Sequence, residues 1–157
     1  MPAPQQGATA PDFDLPTDGG GRVSLSALKG RAVVLYFYPQ DNTETCTIEA
    51  IEFSGAAADF AAAGATVIGI SPDTPKSHDR FKKKHALGIT LAADVDRKTI
   101  DRYGLWIEKT MFGRTYMGIE RATFLIAADG RISRIWRKVR IKGHVEEVLA
   151  AVRGLEP

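Results

Sequence analysis

One side chain in the sequence is both a strong nucleophile and reversibly oxidisable: Cys46, the single cysteine. A thiol attacks as its thiolate. The free group has a pKa of roughly 8.5, so a reactive cysteine needs a local field that favours negative charge. Cys46 begins an amphipathic run in which Cys46, Ala50, Phe53, Ala57 and Phe60 are spaced 4, 3, 4 and 3 apart. That spacing predicts one face of a long helix over residues 45–63. The first turn of a helix carries unpaired N–H groups and the positive end of its dipole, which lower a thiol pKa. The same phase also turns Cys46 toward an apolar face, where a free cysteine is a small buried hydrophobe. Position alone leaves both readings open.

The residues upstream add polar chemistry. Thr43 lies three before the cysteine, at or near the predicted N-cap, where its hydroxyl serves either the helix end or a bound substrate. Pro39 follows a β-rich run; it either walls a pocket or merely ends the strand.

The elements that must hold these residues read as alternating strands and helices. Residues 12–15 and 22–25 flank Asp18-Gly19-Gly20-Gly21, an opening hairpin. Residues 32–38 (AVVLYFY) and 65–71 (ATVIGIS) are continuous apolar runs that suit strands buried on both faces. Gly64 stops the long helix, and Thr74-Pro75 opens another as N-cap and first helical residue. Residues 90–93 form a short strand and 96–103 a short helix. Residues 122–127 and 131–139 are strands joined through Asp129-Gly130, and Val145, Val148, Leu149 and Val152 line a last helix closed by Gly154. This order is α/β and predicts a thioredoxin-like fold: an N-terminal β-hairpin, then a central mixed sheet flanked by helices, in one domain over residues 1–157.

Composition narrows the function classes. With 44% hydrophobic and 25% charged residues among 157, the chain can bury a core without a disulfide or metal staple. A net charge of +2 gives no warrant for a nucleic-acid or membrane partner. The late basic run Arg131, Arg134, Arg137, Lys138, Arg140 and Lys142 is instead a candidate docking patch for an acidic reductant. No run of about 18 apolar residues occurs. Residues 1–10 do not read as a signal peptide, so the cytoplasm is expected. His78 and His85 are read as exposed, with no metal site and no cofactor. Trp106, Met111 and Phe112 precede the strand at Ala122 without an assigned element, and are read as core rather than as a dimer surface or pocket rim.

Pro39, Thr43 and Cys46 match the Pro-x-x-x-Thr/Ser-x-x-Cys signature of the peroxiredoxins, and Thr47 fits the same pattern. The segment from Gly118 to Ile126, with Arg121 opening a buried strand, resembles that family's second site segment. Together with Ala10-Pro11-Asp12-Phe13, Tyr103-Gly104-Leu105-Trp106 and Gly113-Arg114-Thr115-Tyr116, the likeness spans nearly the whole chain. It is nearest the bacterioferritin comigratory protein (Q-type) branch. The resemblance implies a thiol peroxidase acting on hydrogen peroxide and organic hydroperoxides. Cys46 would become a sulfenic acid and Arg121 would stabilise the thiolate and the leaving oxygen. Thr43 and the N–H groups near Thr45 would hold the peroxide, Pro39 would exclude water, and Glu49 would buttress Arg121 or Thr43.

Two departures from that pattern matter. Many relatives carry Pro-Gly where this chain has Glu44-Thr45. A carboxylate there suits the helix dipole but raises a nearby thiol pKa if it faces the pocket. Many Q-type relatives also place a second cysteine five residues after the first, where this chain has Ile51. A one-cysteine mechanism then needs an external thiol (thioredoxin, glutaredoxin, glutathione or another small thiol), from a monomer or a homodimer. The competing reading is a catalytically weak thioredoxin-fold redox sensor or binding protein. Thiol–disulfide exchange is disfavoured because no Cys-x-x-Cys is present.

Overall fold

The computed structural model describes residues 3–155. Met1 and Pro2, part of the segment read for a signal, lie outside them, as do Glu156 and Pro157 of the one-domain expectation. In chain order the elements are β1 (Asp14–Pro16), β2 (Arg22–Ser24), β3 (Ala32–Phe37), α1 (Glu44–Gly55), α2 (Ala57–Ala62), β4 (Ala65–Ser71) and α3 (Pro75–His85). Then follow β5 (Thr90–Ala93), α4 (Lys98–Arg102), β6 (Trp106–Met111), β7 (Arg114–Ile119), β8 (Ala122–Ile126), β9 (Ile132–Trp136) and α5 (His144–Arg153).

The central sheet runs β5-β4-β3-β8-β9. Strands β3, β4 and β5 are parallel, whereas β8 is antiparallel to both β3 and β9. This is the thioredoxin-like mixed sheet that the order of elements predicts. Strand β3 lies in the middle and all six of its residues are buried. Its period-two alternation divides the core. Val33, Leu35 and Phe37 face one cluster with Phe13, Leu15, Ile68, Ile70, Ile100, Tyr103 and Phe124. Val34, Tyr36 and Tyr38 face the other, with Cys46, Phe53, Phe60, Phe81 and Val148. The opening hairpin β1–β2 forms its own small sheet.

Four expectations are corrected. The helix over residues 45–63 is two helices. Ala56, with φ −99° and ψ 2°, breaks α1 from α2, although Phe53 and Phe60 still meet in one cluster. Residues 106–119 form a β-hairpin, β6–β7, turned at Phe112 and Gly113, both with positive φ (52° and 76°). Phe112 at that turn is 98% exposed and Met111 is also exposed, so neither is core. Trp106 is half-buried beneath Arg97, whose guanidinium carbon lies 3.9 Å from the ring centroid. His78 is fully buried rather than exposed, because two hydrogen-bond acceptors receive its ring.

Candidate active site

Strand β3 ends at Phe37. Tyr38 still donates its N–H to the Ile70 carbonyl oxygen (3.1 Å), and the half-buried Pro39 then turns the chain off the sheet. Thr43 is the N-cap residue of α1 by backbone, with φ −82° and ψ 153°. Its hydroxyl does not cap the helix. It donates to the Gln40 carbonyl oxygen at 2.9 Å, which leaves the oxygen's lone pairs available at an exposed position.

The first backbone bond of α1 runs from the Thr47 N–H to the Thr43 carbonyl oxygen (2.9 Å). The N–H groups of Glu44, Thr45 and Cys46 therefore precede the helical ladder, as an N-terminal turn requires. Cys46 sits in that turn and is 1% exposed. Glu44 is exposed, where water screens its charge from the sulfur. Thr45 is exposed as well.

Arg121 precedes β8 and is anchored through its carbonyl oxygen, which accepts from the Val139 N–H at 3.1 Å. Its Nη2 donates to Cys46 Sγ at 3.3 Å, and its Nη1 to Glu49 Oε1 at 2.6 Å. Glu49 is fully buried, three residues beyond Cys46 on the same helix. Burial pushes its carboxyl up to about 7, against the pull of Arg121. Burial also works against the Arg121 charge, but Glu49 and Cys46 outweigh it and hold the guanidinium above its ordinary value. The Arg121 cation, 3.3 Å from Cys46 Sγ, places positive charge directly beside the sulfur.

Tyr36 lies beneath this group. It stacks on Phe53 at 4.5 Å between centroids, and burial, followed by Glu49, raises its phenol well above the usual value. Lys109 on β6 adds a second, half-buried cation, its ammonium lowered by burial and then by Arg121.

The structure thus brings Cys46, Arg121 and Glu49 into direct contact and sets Thr43 and Thr45 at the same helix end, with Pro39 four residues before Thr43. The basic run at the end of the sheet is partly committed elsewhere. Arg137 Nη2 donates to Glu120 Oε1 at 3.0 Å, and Arg134 Nη2 to Glu147 Oε1 at 2.8 Å. Sequence reasoning missed Lys109, Asp41 and the burial of His78. Asp41 and His78 are 37 residues apart, so no local pattern joins them. Asp41, Asp73 and His78 have ligand-type atoms within 4.8 Å of one another, but Asp41 Oδ2 meets His78 Nδ1 and the Ser77 hydroxyl, and Asp73 Oδ2 accepts from the Asp41 N–H and the Ser71 hydroxyl.

A thiol held at a helix N-terminus beside a half-buried arginine, on a thioredoxin-like sheet, defines a redox-active thiol protein. Comparison with known proteins gives its family: residues 6–135 match the AhpC/TSA family, and the chain belongs to it. Peroxiredoxin Bcp of Bacillus subtilis is 45% identical over 149 residues, covering 95% of each chain. Peroxiredoxin Bcp of Escherichia coli is 38% identical over 143 residues, covering 91% of this chain and 92% of that one. Among solved structures, peroxiredoxin Q of Xanthomonas campestris superposes with a TM-score of 0.86 at 39% identity, covering 90% of this chain and 89% of that one. A Xylella fastidiosa PrxQ variant gives 0.90 at 37% identity, with 95% of each chain covered.

Proposed function

We infer that this chain is a thiol-dependent peroxidase that reduces hydrogen peroxide and organic hydroperoxides through a sulfenic acid on Cys46. The observation that carries this reading is the Arg121 guanidinium, which contacts both Cys46 Sγ and the buried Glu49. A solved relative from Xanthomonas campestris is described in terms of alkyl peroxide reduction activity, which supports the same substrate class here.

The thiolate attacks the nearer peroxide oxygen, an S–O bond forms and the O–O bond breaks. The departing oxygen takes up a proton and leaves as water or an alcohol, and the sulfur is oxidised to Cys–SOH. Arg121 stabilises the thiolate and the charge growing on the departing oxygen. Thr43 Oγ1 and the Thr45 N–H hold the peroxide in line, Pro39 limits access of water, and Glu49 fixes the direction of the guanidinium. An external thiol then condenses with the sulfenic acid, releasing water and leaving a mixed disulfide. A second thiol reduces that disulfide and restores Cys46.

With Ile51 in the position of a second thiol and Cys46 buried, the segment around Cys46 opens locally before resolution. The reductant is thioredoxin, glutaredoxin or a small thiol. The protein acts as a monomer or homodimer in the cytoplasm, where thiol reductants are kept reduced. Among the described residues no helix is long and apolar enough to cross a membrane.

The test is peroxide consumption with dithiothreitol as reductant, with mass spectrometry of Cys46. Turnover with a sulfenic acid trapped on Cys46, absent in Cys46→Ser, supports the reading. Reduced Cys46 that stays unmodified under excess peroxide sinks it and leaves the sensor or binding alternative.

A further inference from the structure

Asp41 stands in the segment that leads from β3 into α1, between Pro39 and Thr43. This segment has no ladder to shape it, and Asn42 takes a left-handed φ of 62°. Contacts from other elements converge on Asp41 instead. Its buried carboxylate accepts from Tyr38 Oη at 2.6 Å and Ser77 Oγ at 2.8 Å, and meets His78 Nδ1 at 2.8 Å. Its N–H donates to Asp73 Oδ2 at 2.8 Å, and the Ser71 hydroxyl donates to that same oxygen at 2.6 Å.

His78, on α3, is fully buried, and its Nε2 meets the Ala92 carbonyl oxygen of β5 at 3.1 Å. Through its two ring nitrogens His78 ties the loop at Asp41 to α3 and to the Ala92 carbonyl oxygen of β5.

We propose that His78 is a positioning residue for the chemistry at Cys46: through Asp41 it fixes the loop that places Thr43 and the first turn of α1. Thr43 bonds back to Gln40, so the two residues that clamp each other flank Asp41, and a shift of Asp41 moves both. The proposal rests on the peroxidase reading of Cys46. Displacing a substrate-holding group by about 1 Å can cost on the order of 100-fold in rate.

Two substitutions separate positioning from bulk stability. His78→Asn puts an amide N–H near the place of Nδ1 and keeps the Asp41 bond. His78→Gln reaches toward Ala92 and loses it. The readouts are the rate of Cys46 oxidation by hydrogen peroxide, the rate of Cys46 alkylation by iodoacetamide, and Tm. His78→Gln is expected to slow oxidation at least about tenfold and to speed alkylation, whereas His78→Asn stays within about threefold of wild type in both, at a similar loss of Tm. Equal oxidation rates in the two variants, or a wild-type rate in His78→Gln, overturn the proposal.

Should His78→Gln fail to fold, Ser77→Ala removes only one donor to Asp41 and is expected to slow oxidation about two- to fourfold. A wild-type rate there overturns the proposal equally. Should wild type itself oxidise no faster than a free thiol, the peroxidase reading has failed on its own. Alkylation then decides: fast in His78→Gln and slow in His78→Asn supports the loop-fixing role, and equal rates overturn it.

Discussion

Buried polar side chains on the two faces of the central sheet find their partners in opposite ways, although Tyr36 Oη and Glu49 Oε2 bond no group among the described residues. On the face of Phe13, Ile100 and Phe124, polar side chains turn to the backbone. Asp94 accepts from the N–H groups of Thr99 (3.2 Å) and Ile100 (2.7 Å), and the Tyr103 hydroxyl donates to the Pro11 carbonyl oxygen at 2.7 Å. On the face of Tyr36, Cys46 and Phe53, polar side chains turn mainly to one another: Arg121 to Cys46 and Glu49, Asp41 to His78 and Tyr38, and Thr123 Oγ1 to His144 Nε2 at 2.8 Å. Backbone partners are fixed by the fold and change little as chemistry proceeds. Side-chain partners share protons and charge, so their states depend on one another. The first arrangement holds a structure together, and the second gathers several charged groups around Cys46.

The largest effect that sharpens this contrast is expected at the sulfur. Cys46→Ser should lower the peroxide reaction at least about a thousandfold, measured by stopped-flow fluorescence of Trp106 and Trp136, because the chain then has no thiol. Arg121→Ala follows, with an expected loss of about 100- to 1,000-fold from removal of one aimed donor. Arg121→Lys should recover only part of that, since an ammonium cannot span Cys46 and Glu49 as the guanidinium fork does. A full recovery would mean that charge alone suffices.

The next effect is on stability against pH. The Glu49 carboxyl lies at about 7 in the folded chain against an ordinary 4.5, so the folded state binds that proton more tightly. Its stabilisation is complete below pH 4.5 and is lost as pH rises through 7, amounting to about 3 kcal/mol. Urea unfolding across that range should show the decline in wild type and a flatter profile in Glu49→Gln. Identical slopes would place the Glu49 carboxyl at its ordinary value.

The smallest effect on rate belongs to the opposite face. Asp94→Ala should cost about 1–3 kcal/mol of stability by orphaning two N–H groups, and leave the oxidation rate within about twofold of wild type. A large loss of rate there would erase the distinction between the faces.

Much of the scaffold was legible because burial writes itself into composition. The runs at β3 and β4 are apolar at nearly every position, and the structure pairs them in register from Ala32↔Ala65 to Phe37↔Ile70. The β6–β7 hairpin was not legible. Its turn carries Phe112 in place of an asparagine or aspartate, and Met111, Tyr116 and Met117 lie exposed, so hydrophobicity there does not report the core. The break at Ala56 also left no mark, since alanine favours helix and Phe60 kept its phase.

Within the site, Glu49 follows from its spacing to Cys46 on one helix. Arg121 meets the sulfur across 75 residues, and only the family resemblance of its segment pointed to it. His78 shows the opposite failure: a histidine in a charged helix reads as exposed until its partners are known.

Cys46, beside Arg121 and at the α1 N-terminus, is expected to react with peroxide far faster than a free thiol. The most direct test is competition at neutral pH between the reduced protein and free cysteine for limiting hydrogen peroxide, scored by mass spectrometry of Cys46. Cys46 should take nearly all of the oxidant even when free cysteine is in about a thousandfold excess. Oxidation shared in proportion to thiol concentration would contradict it.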